Sequence, residues 1–244
     1  MKRAVVKVGS LVIEGKDGLL IDKIESLCKF IVKLKESYEV ILVTSGAVGA
    51  GWEKLKLDRT ILTNRQAMSA IGQPYLMRVY SRILESYGVN TSQLLLTEDD
   101  FDSIKSTNNA KVAIDTLLSS GVLPILNEND VTRTSELMFG DNDQLSANAT
   151  CYFDADILVL LSEISSYKDK KVIKVIKDED LQIESIVNPT SSSGGLITKL
   201  KAAEFVLSHD KCMFLASGID LSDAYSFMID KNHKGGTLFC RSES

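Results

Sequence analysis

Four short runs constrain the fold of this chain more than anything else in it: Ala4-Val5-Val6-Lys7-Val8, Val40-Ile41-Leu42-Val43, Val122-Leu123-Pro124-Ile125-Leu126 and Ile157-Leu158-Val159-Leu160-Leu161. Each is almost continuously apolar and rich in β-branched residues, and a strand of that kind has to be covered on both faces. Between the runs lie stripes of helical period, one of Ile24, Leu27, Cys28, Ile31 and Leu34, another of Ala110, Ala113, Ile114, Leu117 and Leu118. Strand alternating with helix predicts an α/β fold, a three-layer αβα sandwich around a mainly parallel central sheet, with ligand sites at the carboxyl ends of the strands. A third stripe, Tyr75, Leu76, Val79, Tyr80, Ile83, Leu84 and Tyr87, predicts a helix started by Pro74, its aromatic residues serving as core or as a subunit contact. Residues 168–180 are charged and loosely patterned. The small polar run at 188–195 reads as a mobile loop, and Leu196, Leu200, Ala203 and Leu207 beyond it as a helix returning to the same core.

At 244 residues, 44% of them hydrophobic, the chain has room for one sizeable core, so a single domain over 1–244 is expected. Its 28 basic against 33 acidic residues give a net charge of -5, which argues against nucleic acid as a partner. No apolar run approaches the about 18 residues of a membrane span and no leader precedes the first strand, so a cytoplasmic protein without a membrane partner is expected. Cys28, Cys151, Cys212 and Cys240 are far apart in sequence and read as buried free thiols. With only His209 and His233 present, any chemistry must manage without imidazole.

The loops after the strands carry the informative residues. Lys7-Val8-Gly9-Ser10 puts a lysine inside an apolar run, which is either an edge-strand lysine reaching solvent or one held by an anionic partner. Thr44-Ser45-Gly46-Ala47-Val48-Gly49-Ala50-Gly51 opens a helix after a strand, either a glycine-eased turn capped by serine or an anion site with Ser45 as hydroxyl donor. Three glycines in eight residues favour the anion site. Asn127-Glu128-Asn129-Asp130 follows another strand, and Gly140-Asp141-Asn142-Asp143 precedes a helix over 144–152. Such side chains bind the charged groups of an amino acid, hold magnesium, or fix lysines in place. The rhythm and closing glutamate of an EF-hand are missing, and residues 131–139 read as a β-hairpin. Gly194-Gly195-Leu196-Ile197-Thr198-Lys199 is either a glycine-capped surface helix or one that brings Lys199 to the same site as Lys7. Two lysines suit a phosphoryl group in transfer, whose charge they stabilise most in the transition state.

Taken in order, VVKVGS, VTSGAVGAG, AIGQP, LLLT, PILNEND, FGDNDQLSA, GGLITKLKAA and GGTLF resemble the amino acid kinase family over essentially the whole chain. Within it, the pairing of NEND with GDND resembles the branch that phosphorylates the side-chain carboxylate of L-glutamate, the first step towards proline. The resemblance implies a carbamate kinase-like fold and ATP as co-substrate with Mg2+ carried on it, no metal being bound directly by the protein. It also implies a homo-oligomer, and a functional contact with the reductase that consumes glutamyl phosphate. It implies that Lys7 and Lys199 are catalytic, flanking the γ-phosphate, with Asp143 between them, and that Ser45, Asp130 and Asn142 bind glutamate. Nucleotide contacts fall on Lys7, Gly9, Ser162, Glu163 and the run Ser193, Gly194, Gly195, Leu196, Ile197, Thr198 and Lys199. The N-terminal part is thus expected to be mainly glutamate-binding and the C-terminal part mainly ATP-binding. The chain resembles the short form that ends without a PUA domain. Three departures stand out: the end just after Gly235-Gly236-Thr237-Leu238-Phe239, Ser162-Glu163-Ile164-Ser165-Ser166-Tyr167 where relatives have an aspartate- and glycine-containing turn, and Met138 where some have lysine. Another activity of the same family, or a glutamate- or proline-sensing homologue with impaired turnover, are the alternatives.

Overall fold

The computed structural model describes residues 1–132, 142–163, 174–175 and 193–241. The elements run β1 (Lys2–Val8), α1 (Ser10–Ile13), β2 (Glu14–Gly15), β3 (Gly18–Leu19), α2 (Ile21–Leu34), β4 (Tyr38–Val43), α3 (Ala47–Leu55), α4 (Leu62–Glu85), β5 (Thr91–Leu96), α5 (Glu98–Asp102) and α6 (Ile104–Ser119). They continue with β6 (Leu123–Glu128), α7 (Asp143–Tyr152), β7 (Ile157–Ser162), β8 (Lys174–Val175), α8 (Ser193–Ser208), β9 (Cys212–Ser217), α9 (Ser222–Met228) and β10 (Thr237–Phe239). Among the described residues, eight strands form one sheet in the order β5-β6-β4-β1-β7-β9-β10-β8, and β2 pairs with β3 as a small hairpin. Neighbouring strands of the large sheet are parallel except β9 and β10.

The continuous apolar runs do what their pattern requires, because successive side chains of a strand leave on opposite faces. Ala4, Val6, Val40, Leu42, Val159, Leu161 and Phe214 pack into one core with α2, α4 and α9. Val5, Ile41, Val43, Leu158, Leu160, Met213 and Leu215 pack into a second core with α6, α7 and α8. Each fully buried aliphatic side chain contributes about 1.5–3 kcal/mol relative to exposure, so the central strands hold both layers of helices to the sheet. The three-layer αβα sandwich expected from the sequence is the one observed.

Three expectations change. Pro74 does not start a helix; it lies inside the 24-residue α4. The missing N–H costs one hydrogen bond, but packing on both sides carries the helix through it, with Met68, Gly72 and Gln73 buried before the proline and Leu76, Tyr80 and Leu84 after it. Secondly, β5 and β9, not recognised among the strands, flank the expected set: β5 is only partly buried, and β9 begins and ends with small polar-sized residues, Cys212 and Ser217. Thirdly, Cys212 and Cys240 are not free thiols. They face each other where β9 and β10 run antiparallel, Cα atoms 4.6 Å apart, and form a disulfide. Cys28 and Cys151 are free. Among the described residues, no helix is long and apolar enough to cross a membrane. The expected loop at 188–195 is helical from Ser193 on, where α8 begins; its remainder at 188–192, the expected hairpin at 131–139 save its first two residues, Met138, Gly140, Asp141 and residues 164–167 lie outside the described residues.

Candidate functional site

β1 lies between β4 and β7, and the chain builds the sheet first to one side of it and then to the other, so the carboxyl end of β1 is a switch point where a crevice opens. Lys7 sits at that end, paired with Val43 on one side and Leu160 on the other. It leaves the strand on the same face as Val5, towards α7 and α8. The lysine is fully buried, 0 % exposed, which removes the edge-strand alternative.

Its partner is Asp143, the first residue of α7 and equally buried. The Lys7 Nζ donates to Asp143 Oδ1 at 2.6 Å. On the other carboxylate oxygen, Oδ2, Lys199 Nζ donates at 3.1 Å and Thr198 Oγ1 at 2.9 Å. Lys199 is 5 % exposed and stands one turn into α8, where its Nζ also donates to the Gly195 carbonyl at 3.1 Å. Two ammonium groups 192 positions apart in sequence are therefore fixed on either side of one carboxylate. Burial alone would push the Asp143 carboxyl up, but the charges of Lys7 and Lys199 and the hydrogen bonds from Lys7 and Thr198 outweigh it and hold the group below the usual carboxylate range.

Asn142 precedes α7 and turns towards the loop after β4. Its Nδ2 donates to the Thr44 carbonyl, to Asn127 Oδ1 at 2.7 Å and, at 3.4 Å, to Ser45 Oγ. With the amide nitrogen so committed, the Asn142 carbonyl oxygen Oδ1 is the atom left to meet a ligand. Asn127, the penultimate residue of β6, passes the chain on: its Nδ2 donates to Gln73 Oε1 at 2.8 Å, and Gln73 Nε2 donates to Gln93 Oε1 at 3.0 Å. Asp130, three residues beyond Asn127, accepts from Ser69 Oγ at 2.7 Å. Ser69 and Gln73 are buried one turn apart on α4. Sequence reasoning missed both as site residues, because a helix begun at Pro74 leaves them in a loop; two buried polar groups four apart in an apolar helix were the available signal.

The glycines of the loop after β4 divide by role. Gly46 has φ +103°, a left-handed turn that brings Ser45 to the end of the strand and starts α3. Gly51 instead serves helix packing, since a Cβ there would stand 1.8 Å from the Met68 carbonyl oxygen of α4. Thr44 is fully buried and its hydroxyl meets the Tyr80 hydroxyl at 2.8 Å. Tyr80 thereby proves to be core, as expected of the aromatic stripe.

On the other side of β1, the Gly9 N–H donates to the Leu161 carbonyl at 3.1 Å and the Ser162 carbonyl accepts from Gly218 N–H at 2.7 Å, which stitches together the ends of β1, β7 and β9. Ser162 is buried at the end of β7 and Glu163 beside it is exposed. Ser193, Gly194, Gly195, Leu196, Ile197 and Thr198 form the first turns of α8, leading to Lys199. The structure thus joins Lys7, Asp143 and Lys199 directly, links Asn142 to Ser45, and sets Asp130 in the loop that follows Asn127 and the end of β6; it places Gly9 and Ser162 on the far flank of the same crevice. Both carboxylate oxygens of Asp143 accept from this cluster, Oδ1 from Lys7 and Oδ2 from Lys199 and Thr198.

A sequence model of the amino acid kinase family matches residues 2–215. A glutamate 5-kinase from Wolinella succinogenes is 47% identical over 98% of this chain and 98% of its own length, and one from Leishmania donovani is 42% identical over 98% and 95%. Among solved structures, a carbamate kinase from Giardia superposes with a TM-score of 0.67 at 15% identity, covering 99% of both chains. A UMP kinase from Ureaplasma parvum gives 0.65 at 15% identity over 98% of this chain and 99% of its own. At such low identity these two speak for the fold alone.

Proposed function

Because this chain belongs to the amino acid kinase family, we infer that it transfers the γ-phosphoryl group of ATP to the side-chain carboxylate of L-glutamate, giving L-glutamyl 5-phosphate and ADP. The observation that carries this reading is the buried Lys7–Asp143–Lys199 cluster at the carboxyl end of the central strand, combined with glutamate 5-kinases as relatives along almost the whole length. A glutamate carboxylate is ionised at neutral pH and attacks phosphorus without a general base, so a site without histidine is chemically sufficient. One carboxylate oxygen bonds to the γ-phosphorus as the bond to the bridging oxygen of ADP breaks. The two ammonium groups, held by Asp143 at fixed separation, stabilise the charge that spreads over the moving PO3 group more than they stabilise bound ATP. Mg2+ carried on the nucleotide would supply further neutralisation of phosphate charge beside Lys7 and Lys199.

Ser45, Asp130 and Asn142 receive glutamate. The Asp130 carboxylate and the Asn142 carbonyl oxygen are acceptors suited to the α-ammonium, and the Ser45 hydroxyl is a donor for a carboxylate. Gly9, Ser162, Glu163 and the run from Ser193 to Lys199 contact ATP. On this reading one domain spans 1–244, its N-terminal part mainly glutamate-binding and its C-terminal part mainly ATP-binding. The protein works as a homo-oligomer in the cytoplasm, on the way to proline, and the lability of an acyl phosphate in water favours a glutamyl phosphate reductase acting close by; absence of any channelling in a coupled assay would remove that last element.

Hydroxamate trapping tests the assignment. Protein incubated with glutamate, MgATP and hydroxylamine should give γ-glutamyl hydroxamate in proportion to ADP, with little product from aspartate or N-acetylglutamate. Glutamate binding without any hydroxamate would instead identify a sensing protein, and a preference for another acid would identify another activity of the family.

A further inference from the structure

The amino edge of the sheet, opposite the crevice just described, carries an unassigned cavity of about 310 Å³. Lys2, Tyr38, Ile157 and Cys212 line it, and these are the first residues of four adjacent strands, β1, β4, β7 and β9. Its charged groups are mostly basic. Lys231 Nζ is pinned at the rim by donating to Tyr38 Oη at 2.9 Å and to the Met228 carbonyl at 2.7 Å, and it stands over the Tyr38 ring. His233 also lines the cavity, its ring held edge-on by Phe214 and Phe227. The one acid there, Asp156, is already engaged in accepting the Arg3 backbone N–H at 2.7 Å. Such a lining favours an anion with a small body.

Cys212, one of the residues lining this cavity, is bonded through its sulfur to Cys240. One step beyond the pair Phe239↔Met213, the two cysteines oppose each other with Cα atoms 4.6 Å apart, within the range a disulfide spans. We propose that Cys212 and Cys240 are an exchangeable dithiol/disulfide couple, and that the cavity admits a small disulfide bearing carboxylates to the Cys212 sulfur. In the reduced protein, the Cys212 thiolate attacks one sulfur of the small disulfide; that S–S bond breaks and one small thiol leaves with the Cys212 proton. Cys240 then attacks the Cys212 sulfur and expels the second small thiol, which takes the Cys240 proton. The protein gives up two electrons and two protons, and the small disulfide becomes two thiols. The other two thiols do not compete: burial pushes Cys28 up to about 12 and Cys151 up to about 11. The bond formed ties β10 to β9 at the margin of the sheet, where β10 holds only three residues of pairing and β8 two.

Oxidised glutathione is a suitable probe. The full chain, reduced with a phosphine and freed of it, is mixed with oxidised glutathione and followed by peptide mass spectrometry. The unmodified sequence should lose two hydrogens on the peptides of Cys212 and Cys240 and keep no adduct, with a higher unfolding temperature than the reduced form. Cys240→Ser should trap one glutathione on Cys212. Lys231→Glu should slow the reaction about tenfold with oxidised glutathione and leave the rate with neutral hydroxyethyl disulfide unchanged. Glutathione on Cys28 or Cys151, no reaction at all in the unmodified chain, or equal slowing of both disulfides would each overturn the proposal. Because the unmodified chain supplies its own readout, a Cys240→Ser protein that fails to fold leaves the test intact.

Discussion

A lysine in the middle of a buried strand is the most expensive residue in this molecule, and Asp143 explains why it is tolerated. Desolvating one ammonium costs several kcal/mol, and a carboxylate at 2.6 Å with further hydrogen bonds offsets it. Asp143→Asn should therefore do two things: lower stability by roughly 3–5 kcal/mol in urea denaturation, and abolish most hydroxamate formation, since Lys7 and Lys199 lose their common anchor. Lys7→Ala and Lys199→Ala, tested separately, should each reduce kcat by about 100-fold or more while glutamate affinity by calorimetry changes little; equal losses in both would remove the phosphate role. The depressed pKa of Asp143 also fixes a pH signature. A carboxylate whose folded pKa lies below its unfolded value of about 3.9 contributes stability in full above that value, and the contribution disappears as pH falls through the lower, folded pKa. In acid titrations, the stability difference between the wild type and Asp143→Asn should thus be constant from pH 7 down to about 5 and shrink below about 4. At this scale the sequence was informative where a residue type clashed with its surroundings: Lys7 stands out in an apolar strand. Thr198 and Asn127 do not, because hydroxyl and amide groups in a loop or at a helix start are ordinary, and only the distances to Asp143 and Asn142 reveal what they do.

Helix α4 is the element on which the Asp130 and Asn142 side of the crevice leans. Ser69 holds Asp130, and Gln73 holds Asn142 through Asn127, so two adjacent turns of one helix orient both acceptors read here as facing glutamate. Ser69→Ala and Gln73→Leu should each raise the KM for glutamate about tenfold, the order of one lost buried hydrogen bond, with the KM for ATP unchanged; parallel changes in both constants would point to loosened packing instead. The helix is held against α3 by backbone contact, since a Cβ on Gly72 would lie 1.9 Å from the Ala47 carbonyl oxygen. Gly72→Ala should cost at least about 1–3 kcal/mol by overpacking, seen as a lowered denaturation midpoint. The period of α4 beyond Pro74 was legible; its first half was not, because a proline after a run of small and polar residues has the signature of a helix start. Tertiary packing at Met68 and Gly72 overrides that local signal. The strands at the sheet's centre were legible for the opposite reason, being too apolar to lie anywhere else, whereas the half-buried β5 carries no such mark.

Across the whole molecule, the strand order places the ends of β4 and β6 on one side of β1 and those of β7 and β9 on the other. That arrangement supports the division into a glutamate side and a nucleotide side, and thermal shift assays can test it. Either ligand at about 100 times its Kd should stabilise the protein by roughly 2.7 kcal/mol. Asp130→Ala should erase the glutamate shift and retain the ATP shift, and loss of both would mean that the two sides are not separable. The layered architecture was readable from alternation alone, while the order of strands was not, since each apolar run fits any interior position. The disulfide escaped for the same reason: only the antiparallel return of β10 brings Cys240 beside Cys212, 28 positions away. The central place of β1 has a consequence for synthesis. During translation β1 leaves the ribosome before both of its neighbours, and β4 claims one of its flanks, but the other flank waits for β7, which begins only at Ile157. Until then the nascent polypeptide displays a bare row of peptide groups at its heart, a template for sticking to sibling chains that β7 must arrive to cover.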